Sequence, residues 1–137
     1  MRPIVSLIAA VALPAVFALA GAQPTGQAAP ATAQTTLAGV TVKITPRVTA
    51  ADAATWVFAV VLDTHSQELS DDLLRTTVLV TDDGRELQPI AWKGAAPGSH
   101  HREGSLEFTA PSPAPKAFAL RMQRPGEAEA RTFRFAP

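Results

Sequence analysis

Apolar residues recur at every second position through much of the chain beyond Leu37, and the recurrence is strongest between Thr55 and Leu62. Trp56, Phe58, Val60 and Leu62 share one face of an extended strand there, and Val57, Ala59 and Val61 share the other. This predicts a central strand buried from both sides. The run ends in polar sequence, Asp63-Thr64-His65-Ser66. Ahead of it Val40, Val42 and Ile44 alternate with Thr41, Lys43 and Thr45, a half-buried strand closed by Pro46.

After the central run, Asp71-Asp72-Leu73-Leu74 allows one helical turn, and Thr77 to Thr81 is a third strand. Asp82-Asp83-Gly84 marks a hairpin, because Gly supplies the positive φ that a tight turn needs. The fourth strand, Glu86 to Trp92, is confined to an edge or a bulge by Pro89. A long loop from Lys93 to Gly104 leads into Ser105–Thr109, with Leu106 and Phe108 inward. Pro111, Pro113 and Pro115 form a stiff connection, followed by strands through Phe118, Leu120 and Met122 and through Phe133 and Phe135, with a turn at Pro125-Gly126 between them. About seven short strands and no amphipathic helix predict an all-β domain, an immunoglobulin-like antiparallel β-sandwich, with a small Greek-key barrel as the alternative.

The first residues do not belong to this pattern. Arg2, the apolar run Ile4 to Leu19 and the small residues Ala20-Gly21-Ala22 read as a signal peptide, residues 1–22, cleaved after Ala22. The apolar run contains Ser6 and Pro14 and is short for a membrane span, so no stable membrane insertion is expected after cleavage. Residues 23–36 carry no charge, no aromatic and no large aliphatic side chain and read as a disordered linker, leaving residues 37–137 as the sandwich domain. The protein is therefore expected to be exported, to the periplasm or the exterior.

Charge narrows the function classes. The chain has 12 basic and 12 acidic residues, and loss of Arg2 with residues 1–22 leaves a formal charge of −1. That is no footprint for nucleic acid. With no cysteine, the domain is held by burial rather than by disulfides.

The candidate chemistry lies at the end of the central run and in the loop Trp92-Lys93-Gly94-Ala95-Ala96-Pro97-Gly98-Ser99-His100-His101-Arg102-Glu103-Gly104. All three histidines, His65, His100 and His101, fall in these two stretches. On a regular strand Asp63 and His65 project on one side, as do His101 and Glu103, while His100 and His101 point to opposite sides. His65, His100, His101, Asp63 and Glu103 are the candidate metal ligands, for copper(II) or zinc, because imidazole and carboxylate suit those ions in a chain without thiolates. The same residues also suit a hydrogen-bonded brace, with Arg102 bonding carbonyls or a carboxylate such as Glu103 or Asp63. The acidic pairs Asp71-Asp72 and Asp82-Asp83 read as turn and cap residues. Ser99, His65 or His100, and Asp63 are the residue types of a hydrolytic triad, but no G-x-S-x-G elbow accompanies them, so no enzyme is expected.

These two stretches, the Asp-Thr-His-Ser strand end and the Trp-x-Gly, Gly-x-His-His-Arg-x-Gly-x-Leu-x-Phe loop, resemble a group of small secreted bacterial proteins of unassigned function. The resemblance spans most of Val40 to Phe135. It implies an exported sandwich domain and carries no activity. The expected function is an exported, non-enzymatic binding module for a protein or envelope component, its histidine cluster a brace or an interaction site.

Overall fold

The computed structural model describes residues 31–136. The leader read at 1–22 and residues 23–30 of the linker lie outside them. The alternating pattern forms nine strands: β1 (Ala33–Leu37), β2 (Val40–Val48), β3 (Thr55–Thr64), β4 (Thr77–Thr81), β5 (Glu86–Leu87), β6 (Ala91–Gly94), β7 (His101–Thr109), β8 (Phe118–Met122) and β9 (Arg131–Phe135). One helical turn, α1 (Leu73–Thr76), precedes β4.

The strands lie in two antiparallel sheets, in the order β1-β2-β3-β7-β6 and β5-β4-β8-β9. With β1 set aside, these are the A-B-E-D and C′-C-F-G sheets of an immunoglobulin-type sandwich. Each sheet keeps two edges, so the barrel alternative does not hold. Trp56 stands on the second strand of this arrangement, whereas antibody domains carry their core tryptophan on the third.

Alternation in β3 has the expected inward face. Trp56, Phe58, Val60 and Leu62 are buried against Leu79, Phe118, Leu120 and Phe133 of the opposite sheet. Trp56 meets Phe118 at 4.8 Å between ring centroids, and Phe58 meets Phe108 edge-on at 5.7 Å. The expectation of two-sided burial fails. Val57, Ala59 and Val61 are only half-buried, because they lie on the outer face of the sheet.

Four further expectations are corrected. Pro46 does not close its strand. It is a buried member of β2 opposite Phe58, and a bulge at Arg47 restores pairing at Val48, which accommodates the missing N–H. Residues 33–36, read as linker, form most of β1, whose backbone pairs with β2 although its side chains bury little. The stretch Glu86 to Trp92 is two strands in different sheets: Pro89 is where the chain crosses from β5 to β6. Residues 101–104, read as loop, open β7 and pair with Val60 to Asp63.

At one end of the sandwich the interior holds charge. Asp71 is fully buried, and Arg124 grips its carboxylate with two bonds, Nε to Oδ1 at 2.8 Å and Nη2 to Oδ2 at 3.1 Å. Arg124 continues to Glu127 at 2.9 Å, and Glu127 is bonded in turn by Arg131 Nε at 2.9 Å. Arg131 also donates to the carbonyls of Val40 and Leu37, tying β9 to the β1–β2 hairpin. The two guanidinium partners, Arg131 first, hold the Glu127 carboxyl below its ordinary range despite its burial. Removing one member of such a chain leaves an uncompensated buried charge, at a cost of about 3–5 kcal/mol.

Trp56 anchors the other end through packing and through its Nε1, which donates to Ala50 O at 3.1 Å. Trp56→Ala should cost about 3–5 kcal/mol, most of the stability of an ordinary domain of this size. Thermal melts by circular dichroism test this, and a variant melting near the wild type would show that β3 is not the centre of the core.

Candidate functional site

The end of β3 and the start of β7 are register partners: Asp63 opposes His101, Leu62 opposes Arg102, and Val61 opposes Glu103. Side chains alternate across a strand, so the burial of Leu62 and Arg102 sends Asp63, His101 and Glu103 to the outer face. There the imidazole lies between two carboxylates. His101 Nδ1 stands 2.5 Å from Asp63 Oδ1, and Nε2 stands 3.5 Å from Glu103 Oε2. The side chains of Asp63, His101 and Glu103 are 45%, 55% and 71% exposed, so the cluster is open to any solute.

The bond to Asp63, and secondarily the neighbouring Glu103, raise the His101 pKa above its ordinary value of 6.5. Exposure keeps the effect screened by water and salt.

The other predicted residues are placed differently. The pairing of β3 and β7 runs on by one bond, Thr64 N–H to His100 O at 2.9 Å, so His65 and His100 follow at the adjoining loop ends. Both are exposed. Among the described residues no group of three or more histidine and carboxylate side chains is arranged to hold a metal ion, so the five predicted ligands do not converge as one set. Asp63, His101 and Glu103 are brought together; His65 and His100 are not joined to them by side-chain bonds among the described residues. The hydrolytic triad is not assembled either: the Ser99 hydroxyl donates to the backbone carbonyl of His101, and Asp63 pairs with His101 rather than with His65 or His100.

Arg102, the inward neighbour of the cluster, is the brace. Its guanidinium donates to the carbonyls of Asp71 at 2.8 Å, Leu69 at 3.2 Å and Ala95 at 3.3 Å, and not to Glu103 or Asp63. Burial lowers its pKa, and the nearby carboxylates of Asp71 and Asp72 counter part of that effect. Backbone bonds lace the same two loops together, Leu69 N–H to Ser99 O at 3.0 Å and Gly98 N–H to Leu69 O at 3.1 Å.

Trp92 closes this arrangement. Its Nε1 donates to Ala95 O at 3.0 Å, its ring covers the facing pair Gly94 and Gly104, and the Arg102 guanidinium carbon lies 5.8 Å from the ring centroid. A Cβ built on Gly104 would stand 2.6 Å from the Gly94 Cα and 2.9 Å from the Trp92 ring. The Trp-x-Gly and Arg-x-Gly spacing is thus a packing requirement: both glycines leave room for the indole.

The residues that sequence reasoning missed are Arg124, Glu127 and Arg131, and the buried role of Asp71, which caps nothing with its side chain. A signal was present. Arg124 and Arg131 occupy inward-parity positions that continue Leu120-x-Met122 and precede Phe133-x-Phe135.

The pH dependence of the cluster follows from the raised pKa. A group whose folded pKa lies above its unfolded value contributes stability that is fully present below about pH 6.5 and fades as pH rises through the folded value. NMR titration should place the His101 ring above the ordinary histidine value, and Asp63→Asn should lower it more than Glu103→Gln does. A His101 that titrates at or below the ordinary histidine value would contradict the geometry.

No protein-family model and no curated protein matches the chain. Among solved structures it is similar to a DUF4426 family protein from Pseudomonas aeruginosa PAO1, with a TM-score of 0.45 and 12% sequence identity over 77% of this chain and 92% of that one.

Proposed function

We propose that the protein is an exported, non-enzymatic binding module for a protein or envelope component, and that it engages its partner through the outer face of the five-stranded sheet. The observation that carries this reading is the open carboxylate–imidazole–carboxylate cluster of Asp63, His101 and Glu103 on that face. Its surroundings favour recognition over reaction. The cluster lies on strand backbone rather than in a cleft, and the neighbouring serine, Ser99, is committed to a backbone carbonyl. The same face carries Thr41, Lys43, Ser105 and Glu107, with Lys93 paired to Glu107 at 2.8 Å, a mixed polar surface around the half-buried stripe of Val57, Ala59 and Val61. Such a surface suits a polar partner better than a lipid core. The leader read at residues 1–22 supports export.

Site-specific photo-crosslinking in exporting bacterial cells tests both parts. A photoreactive residue at Thr41 or Ser105 should give a discrete adduct on processed protein, weakened by His101→Ala. The same probe at Thr132, on the outer face of the four-stranded sheet, should give none. Adducts confined to Thr132, or protein that retains residues 1–22 in the cytoplasm, would overturn the proposal.

A further inference from the structure

We infer that His101 and Glu103 are the two protein ligands of a zinc(II) site, with Asp63 as the carboxylate that orients the imidazole. The inference deepens the outer-face reading and rests on it for the accessibility of the cluster. Three observations lead to it, two at the imidazole nitrogens and one in the backbone that bears them.

The first is at Nδ1. Asp63 Oδ1 lies 2.5 Å from it. A carboxylate in that position fixes the proton of a neutral imidazole on Nδ1 and leaves the lone pair on Nε2, the arrangement found behind most zinc-bound histidines. The second is at Nε2, where the Glu103 oxygen stands 3.5 Å away. That is long for a hydrogen bond between an imidazole and a carboxylate, which would close to about 2.7–2.9 Å. It is close to the spacing of two ligands on a tetrahedral ion, roughly 3.3–3.4 Å for bonds of about 2.0–2.1 Å. Neighbouring positions of a square-planar copper(II) ion would bring the two atoms to roughly 2.9 Å, so the gap fits zinc better.

The third observation is the rigidity of the bearing backbone. His101 and Glu103 are next-but-one residues of β7, with the buried Arg102 pinned between them to the carbonyls of Leu69, Asp71 and Ala95. The two donors thus project from one face of β7 beside a braced residue. With two protein ligands the remaining positions go to water, which leaves room for a donor from a partner and makes the metal exchangeable.

Calorimetric titration of the full chain with zinc chloride is the test. Wild type should bind one zinc ion. Asp63→Asn, which keeps both ligands, should weaken binding by roughly 10–100-fold. Glu103→Gln and His101→Ala should each abolish it at the same concentrations, and the double variant His65→Ala, His100→Ala should bind within about twofold of wild type. Melting curves confirm that the variants fold. Should one fail to fold, the wild-type ¹⁵N spectrum decides, because zinc must move the His101 Nε2 resonance and leave His65 and His100 in place. Absence of zinc binding by wild type at millimolar zinc, binding that survives His101→Ala, or equal loss in the His65 and His100 variant would each overturn the site. The crosslinks from Thr41 and Ser105 are read separately, so an outer face that binds a partner without zinc is distinguishable from an outer face that binds nothing.

Discussion

The buried guanidinium of Arg102 is the constraint from which the open end of the sandwich takes its shape. A cation inside a protein is costly unless its donors are filled. Arg102 meets that demand with backbone carbonyls, those of Leu69, Asp71 and Ala95, and with the face of Trp92. Because those carbonyls belong to two separate loops, satisfying one side chain fixes both loops against β7. Asp71 then carries the constraint across the core, since its carbonyl serves Arg102 while its carboxylate serves Arg124. Arg124, Glu127 and Arg131 pass it on to the β1–β2 hairpin.

The outer-face cluster is the other side of the same alternation. With Arg102 turned in, His101 and Glu103 must turn out, and the antiparallel register sets Asp63 opposite His101. The interior member satisfies its hydrogen bonds through backbone and is structural. The exterior members satisfy theirs through one another and remain open to a third party. One short strand segment therefore separates a packing role from an interaction role by parity alone.

The sandwich was legible because it depends on alternation. The inward sets of β3, β7, β8 and β9 follow directly from Trp56 to Leu62, Leu106 and Phe108, Phe118 to Met122, and Phe133 with Phe135, whereas β4 buries Thr77, Leu79 and Thr81 and leaves Val78 and Val80 half-buried. What escaped was structure supported by backbone pairing or by buried charge. β1 has Thr and Gln side chains and is recognised only through its partner β2. Residues 101–104 looked like loop because His, Arg, Glu and Gly carry no apolar period, although Arg102 sits in phase with Leu106 and Phe108. Buried arginines at Arg102, Arg124 and Arg131 each extend an inward apolar series by one or two residues, and polarity concealed them. Of the candidate site, Asp63, His101 and Glu103 were legible as strand neighbours. That His65 and His100 make no side-chain bond to them among the described residues was not, since both lie where the strands give way to loops.

Native-state amide hydrogen exchange of Leu69 and Gly98 tests the central claim most directly. Both amides lie in loops, and loop amides ordinarily exchange through local opening well before the core does. If Arg102 and Asp71 lock these loops to β7, the two amides exchange only with global unfolding, at the same free energy as the β3 amides paired on both sides. Exchange of Leu69 and Gly98 at a free energy well below that of β3 would contradict the account, leaving the Arg102 contacts as passengers on a mobile loop.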